Sequence, residues 1–172
     1  MPRRTAPMHH PLYRFDAAAS VEPWAPIDDR VMGGVSHSRL RFDAAGYAVF
    51  EGEVSLAQGG GFASVRSEPA TLGVPGASTC VVEVCGDGRA YKLSLFTTDA
   101  FDGISYQAPF LPKADAWTTI RLPLAAFRPS FRGRVVPGAP PLDPARLRQV
   151  GLTIAERQAG PFALGVRSIA LA

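Results

Sequence analysis

The chain has 172 residues, enough for one domain, and a domain of this size buries about 70% of the surface its unfolded form exposes. Hydrophobic residues make up 47% and charged residues 19%, with 17 Gly and 16 Pro, a balance that describes a globular body rich in turns and argues against long helices. The formal net charge is only +3 and the basic residues are scattered, so the field is too weak to imply a nucleic acid or a membrane surface as partner.

The opening "MPRRTAPMHHPLYRF" is basic but runs into Pro and His instead of an apolar stretch. It reads as a frayed tail over residues 1–11, not as a secretory signal, and residues 12–172 read as a single domain. No run approaches the roughly 18 apolar residues of a membrane helix. A cytoplasmic location is expected, with any contact to the inner membrane made through partners.

Short apolar or alternating runs bounded by Gly, Pro and Asp predict strands in "PLYRF", "GVSHSRLRF", "YAVFEGEVSL", "GFASVRSE", "STCVVEVCG", "AYKLSLFTT", "ISYQAPFL", "WTTIRLPL", "QVGLTIAE" and "FALGVRSIAL". The connection Asp43-Ala44-Ala45-Gly46 is short and ends in Gly, which predicts a hairpin between the runs on either side. Parity predicts which faces are covered. Val150, Leu152 and Ile154 share one face, as do Phe162, Leu164 and Val166, and Ala63 and Val65 turn away from Phe62, Ser64 and Arg66. Only "DPARLRQ" carries helix signals, an Asp cap followed by Pro, enough for a turn or two. The expected fold is all-β, a two-sheet antiparallel jelly-roll sandwich. Cys80 and Cys85 are separated by an odd number of positions and should point to opposite faces of one strand, as free thiols.

Candidate chemistry is sparse. Ser36 and His37 are neighbours, but adjacent strand residues point apart and no Gly-x-Ser-x-Gly elbow is present, so a catalytic serine is not expected. Two of the three histidines, His9 and His10, fall in the expected tail, and no zinc or EF-hand spacing occurs. A sandwich calcium site of backbone carbonyls and one or two carboxylates would leave little trace in sequence. The segments "QGGGFAS" and "CGDGRAYK" lack the Lys-Ser/Thr and the following helix of a phosphate loop, and read as tight turns. "FRPSFRGR" places three arginines beside Phe127 and Phe131, too short a track for a nucleic-acid site, and reads as a loop; Trp117 and Phe127 read as core. "VVPGAPPLDP" reads as a loop. Asp28, Asp29 and Arg30 precede a double glycine, while Arg66 and Arg89 stand beside Gly-rich turns; carboxylate pairing of these arginines would pin the loops, and free donors would instead line a polar cleft.

Six co-linear stretches, "PIDDRVMGGVSHS", "FEGEVSLAQGGGFASVRS", "GDGRAYKLSLFT", "YQAPF", "WTTIRLPLAAFRPSFRGR" and "LRQVGLTIAERQAGPFALGVRSI", resemble, in that order, the complex I intermediate-associated protein 30 family over residues 12–171. The resemblance implies a galactose-binding-domain-like sandwich. Mitochondrial members are assembly factors of the NADH:ubiquinone oxidoreductase that act by binding partners, and no catalytic activity goes with the motif. The chain is expected to lack the mitochondrial members' N-terminal extension and to be a free-standing bacterial version, a chaperone-like scaffold with protein partners and no cofactor or metal. From resemblance and position together, Asp29, Arg30, Ser36, Ser64, Arg66, Arg89, Tyr91 and Gln107 are expected in the cleft or its supporting network. A sugar-like ligand is the rival reading; it would use Tyr91, Tyr106 and Trp117 as platforms where these are exposed.

Overall fold

The computed structural model describes residues 9–27, 36–57, 61–98, 104–131 and 134–172. They form thirteen strands and short 3₁₀ turns, with no α-helix among the described residues. The strands are β1 (His10–Arg14), β2 (Trp24–Pro26), β3 (His37–Asp43), β4 (Tyr47–Val54), β5 (Ala63–Ser67), β6 (Thr79–Cys85) and β7 (Tyr91–Thr97), then β8 (Ser105–Phe110), β9 (Trp117–Pro123), β10 (Arg128–Phe131), β11 (Arg134–Val135), β12 (Leu147–Ile154) and β13 (Gly160–Leu171).

Two antiparallel sheets pack face to face, as the strand parity requires. One runs β3-β4-β13-β6-β9, with β1 also paired to β13; the other runs β11-β10-β8-β7-β12-β5-β2. The twelve-residue β13 spans the first sheet's centre: β6 lies along one side, while β4 and then β1 occupy the other. Strand β1 starts at His10, so the last residues of the expected tail are paired, His10 with Leu171 and Pro11 with Ala170.

The predicted faces are the ones buried. Val150, Leu152 and Ile154 meet Ala63, Val65, Leu93 and Leu95 in the core, opposite Phe50, Phe162, Leu164 and Val166 of the first sheet. Tyr91 bridges the layers, its ring centroid 6.1 Å from that of Phe50 and 6.3 Å from that of Phe162. The β3–β4 hairpin closes through Asp43 opposite Tyr47, with Gly46 at φ 95°, a conformation that favours glycine. Asp143 caps the single turn Pro144–Arg146 by accepting a hydrogen bond from the Ala145 N–H. Cys80 is buried and Cys85 faces outward, both as free thiols.

Some segments differ from expectation. Trp24–Pro26 is an edge strand that the sequence pattern does not announce. "FRPSFRGR" is not a loop: Arg128–Phe131 pairs with both β8 and β11, with Phe127 buried just before it. The proline-rich segment is tied down by the Tyr106 hydroxyl, which donates to the Pro140 carbonyl at 2.6 Å.

Candidate functional site

Strand pairing assembles a polar row on the outer face of the seven-stranded sheet. Ala25 lies opposite Arg66, Arg66 opposite Gly151, Gly151 opposite Ser94, Ser94 opposite Gln107 and Gln107 opposite Arg128. Paired residues share a face, so Arg66, Ser94, Gln107 and Arg128 all project from the same side, with the buried Gly151 between Arg66 and Ser94. A Cβ on Gly151 would lie 3.3 Å from the Val65 carbonyl oxygen and 3.5 Å from Phe96. The Gln107 amide donates to the Ser94 hydroxyl at 3.1 Å. Ser64 lies in the next row, opposite Thr153.

Arg66 has no carboxylate partner among the described residues. Its guanidinium sits 4.1 Å above the centre of the Phe96 ring, a cation–π contact. Burial lowers its pKa, and the neighbouring charge of Arg148 lowers it further. Arg148 is the extra residue of a bulge on β12, between Leu147 opposite Thr97 and Gln149 opposite Phe96, and its Nε is buried with no acceptor.

The other expected site residues disperse. Ser36 is fully buried: its hydroxyl donates to the Ser55 carbonyl at 3.2 Å and accepts from the Ser55 N–H at 2.9 Å, while His37 is exposed on the following strand position. The Ser64 hydroxyl donates to the Ile27 carbonyl, and the Ser64 carbonyl accepts from Ser38 at 3.1 Å, so this serine stitches β5 to its neighbours. Arg89 finds no carboxylate for its guanidinium among the described residues. It donates to the carbonyls of Gln158 and Ala159 at 2.8 and 3.0 Å. Tyr91 belongs to the core, with its hydroxyl donating to Asp87 at 2.9 Å; burial, then the Asp87 charge, raises its pKa. Arg66 and Gln107 thus share one surface, with Ser64 one row away, whereas Ser36, Arg89 and Tyr91 brace the fold. Asp29 and Arg30 lie outside the described residues.

The opposite sheet presents a different face. An open depression of about 730 Å³ is lined by His37, Arg39, Glu51, Glu53, Asp87 and Pro161, among others, and sequence reasoning did not find it. Arg39 lies 3.4 Å from Glu51 within it, and Arg41 beside it meets both Glu51 and Asp43. Trp117, read as core, stands on this outer face instead, because β9 pairs it with outward-facing Cys85. The Arg167 guanidinium covers its ring at 4.0 Å, and Tyr47 meets it edge-on at 5.0 Å. No group of three or more His, Cys, Asp or Glu suited to a metal occurs among the described residues, and none of their helices is long and apolar enough to cross a membrane.

The family model for complex I intermediate-associated protein 30 matches residues 13–166. The chain belongs to that family. It is 27% identical to the mitochondrial complex I intermediate-associated protein 30 of Drosophila melanogaster over 93% of this chain, and spans only 62% of that relative's length. An uncharacterized protein of Schizosaccharomyces pombe is 28% identical over 83% of this chain and 74% of its own. Among solved structures, the family 11 carbohydrate-binding module of the cellulosomal cellulase Lic26A-Cel5E of Clostridium thermocellum superposes with a TM-score of 0.68 at 15% identity, covering 97% of this chain and 95% of the module. At that identity the likeness establishes the sandwich fold that this family member shares, and no more.

Proposed function

We propose that the protein is a non-catalytic binding protein that helps to assemble respiratory complex I, the NADH:ubiquinone oxidoreductase, as a chaperone-like scaffold. The observation that carries this reading is the family match across residues 13–166. The side-chain chemistry supports it: Ser36 is held by backbone groups, Tyr91 is tied to Asp87, and Arg89 is spent on carbonyls, so each braces the body. What remains on the seven-stranded face is a set of hydrogen-bond donors suited to holding a partner. The partners are subunits or assembly factors of the complex, and any contact with the inner membrane is made through them.

A sugar-binding role draws on the shared fold, but two of its three aromatic platforms, Tyr91 and Tyr106, are each only 1% exposed, and the third, Trp117, is covered by Arg167. The test is affinity purification of the tagged full chain from its respiring host, with mass spectrometry of what co-purifies. Enrichment of complex I subunits or assembly factors is expected. Recovery of none of them would remove the main support for the assembly role.

A further inference from the structure

On the six-stranded sheet, Arg39, Arg41 and Arg167 each meet a carboxylate, from Glu51, Asp43 or Glu83, whereas Arg14 and Arg121, at exposed positions of β1 and β9, meet none among the described residues. On the seven-stranded sheet, Lys92 pairs with Glu156 at 3.0 Å, but Arg66, Arg128 and Arg148 have no carboxylate partner among the described residues. Two further acids, Glu22 and Glu68, line a small depression at the sheet's β2 end together with Trp24 and Arg66. Neither makes an ion pair with Arg66.

Two of these cations are also partly desolvated. Arg66 rests on the Phe96 ring, and the Nε of Arg148 is buried without an acceptor. A partly buried guanidinium next to a like charge is an unfavourable arrangement that an incoming anion relieves, which makes the site selective for negative charge. The length of the row restricts the anion. Arg66 and Arg128 are separated by four strand-to-strand steps, about 19 Å at roughly 4.8 Å per step, far longer than a single phosphate or carboxylate and matched by about six residues of extended peptide. Between them lies the half-buried Gln107 amide, which donates to the buried Ser94 hydroxyl.

We propose that the outer face of the seven-stranded sheet, from Arg66 and Arg148 to Arg128, docks an acidic segment of a protein partner, with the arginines gripping Asp or Glu side chains. The proposal rests on the binding-protein reading and names the chemistry of the partner at that site.

The test uses the full chain and a synthetic ten-residue oligoglutamate, titrated by calorimetry and by NMR. Oligoglutamate should bind with an affinity that falls as salt rises, and oligoglutamine should not bind. Arg66→Gln and Arg148→Gln should each weaken binding by about tenfold or more, Arg66→Lys by less, and Arg39→Gln on the opposite face by no more than about twofold. Circular dichroism and thermal melts report whether each variant folds; Arg128→Gln, at an exposed site, supplies a second variant should Arg66→Gln fail to fold. Absence of oligoglutamate binding, equal loss in Arg39→Gln, complete displacement by millimolar inorganic phosphate, or tighter binding of an oligogalacturonate each overturns the proposal. The outcomes separate the two readings. Capture of complex I subunits without oligoglutamate binding removes only the acidic docking chemistry, whereas oligoglutamate binding without complex I subunits removes the assembly role and leaves the acidic site standing.

Discussion

Replacing Asp87 with Ala tests the assignment of Tyr91 and Arg89 to the framework. The Asp87 carboxylate accepts from the Arg89 N–H at 3.1 Å, from the Tyr91 hydroxyl at 2.9 Å and from the Ala163 N–H at 2.8 Å. The last bond continues the β13 ladder past Cys85, where its pairing with β6 ends. The Tyr91 ring is only 1% exposed, so Asp87→Ala leaves a buried hydroxyl without its acceptor, at a cost of about 1–3 kcal/mol, and removes two charge-assisted bonds from main-chain N–H groups worth roughly 1 kcal/mol each after water replaces them. The sum is about 3–5 kcal/mol. Tyr91→Phe removes only the donor and leaves Asp87 its other partners, so it should cost about 1 kcal/mol. Urea denaturation gives both values, provided the slope against denaturant is unchanged. An Asp87→Ala variant within about 0.5 kcal/mol of the parent would refute the reasoning. So would a Tyr91→Phe variant of full stability that no longer captures partners, because the hydroxyl would then belong to the binding site.

The cysteines should differ in reactivity: burial pushes the Cys80 thiol up to about 12, so a thiol reagent should label only Cys85 in the native protein and both in urea, and Cys85→Ala should abolish native labelling. The same burial sets an alkaline limit on stability. Cys80 is raised from 9.0 and Tyr91 from 10.0, so the folded state holds both protons more tightly; their contribution is complete below about pH 9 and is lost as pH climbs past the unfolded values toward the folded ones. Urea midpoints should therefore fall above about pH 9, and Tyr91→Phe should flatten the part of the decline above about pH 10. Gly165→Val should displace Trp117, because even a Cβ there would sit 3.0 Å from the indole ring, and tryptophan fluorescence should shift with little change in the far-ultraviolet dichroism.

The strands legible in the sequence are those with a dry side. Val150, Leu152 and Ile154, like Phe162, Leu164 and Val166, alternate with polar or small residues because one face meets the other sheet, and that period is written locally. Trp24–Pro26 escaped because a three-residue edge strand ending in Pro has too little alternation to register, and Arg128–Phe131 because Pro129 reads as a loop marker, although the pairing of this strand with β11 begins only at Ser130 and leaves the proline outside it. The candidate surface was legible only in part. Arg66 and Gln107 come together because β12, far along the chain, inserts between β5 and β7. The same insertion brings in Gly151 and Arg148, for which no local motif exists. Tyr91 and Arg89 were drawn toward the cleft by their place beside a Gly-rich turn; the turn's own Asp87 claims the phenol, and the Gln158 and Ala159 carbonyls claim the guanidinium.

The most direct test of the account is deletion of the gene in its respiring host, with complex I resolved on native gels and its NADH oxidation assayed. The account predicts that membrane-arm subcomplexes accumulate, that wild-type protein restores the full complex, and that a folded Arg66→Gln, Arg148→Gln double variant does not. Normal amounts of intact, active complex I in the deletion strain would contradict it.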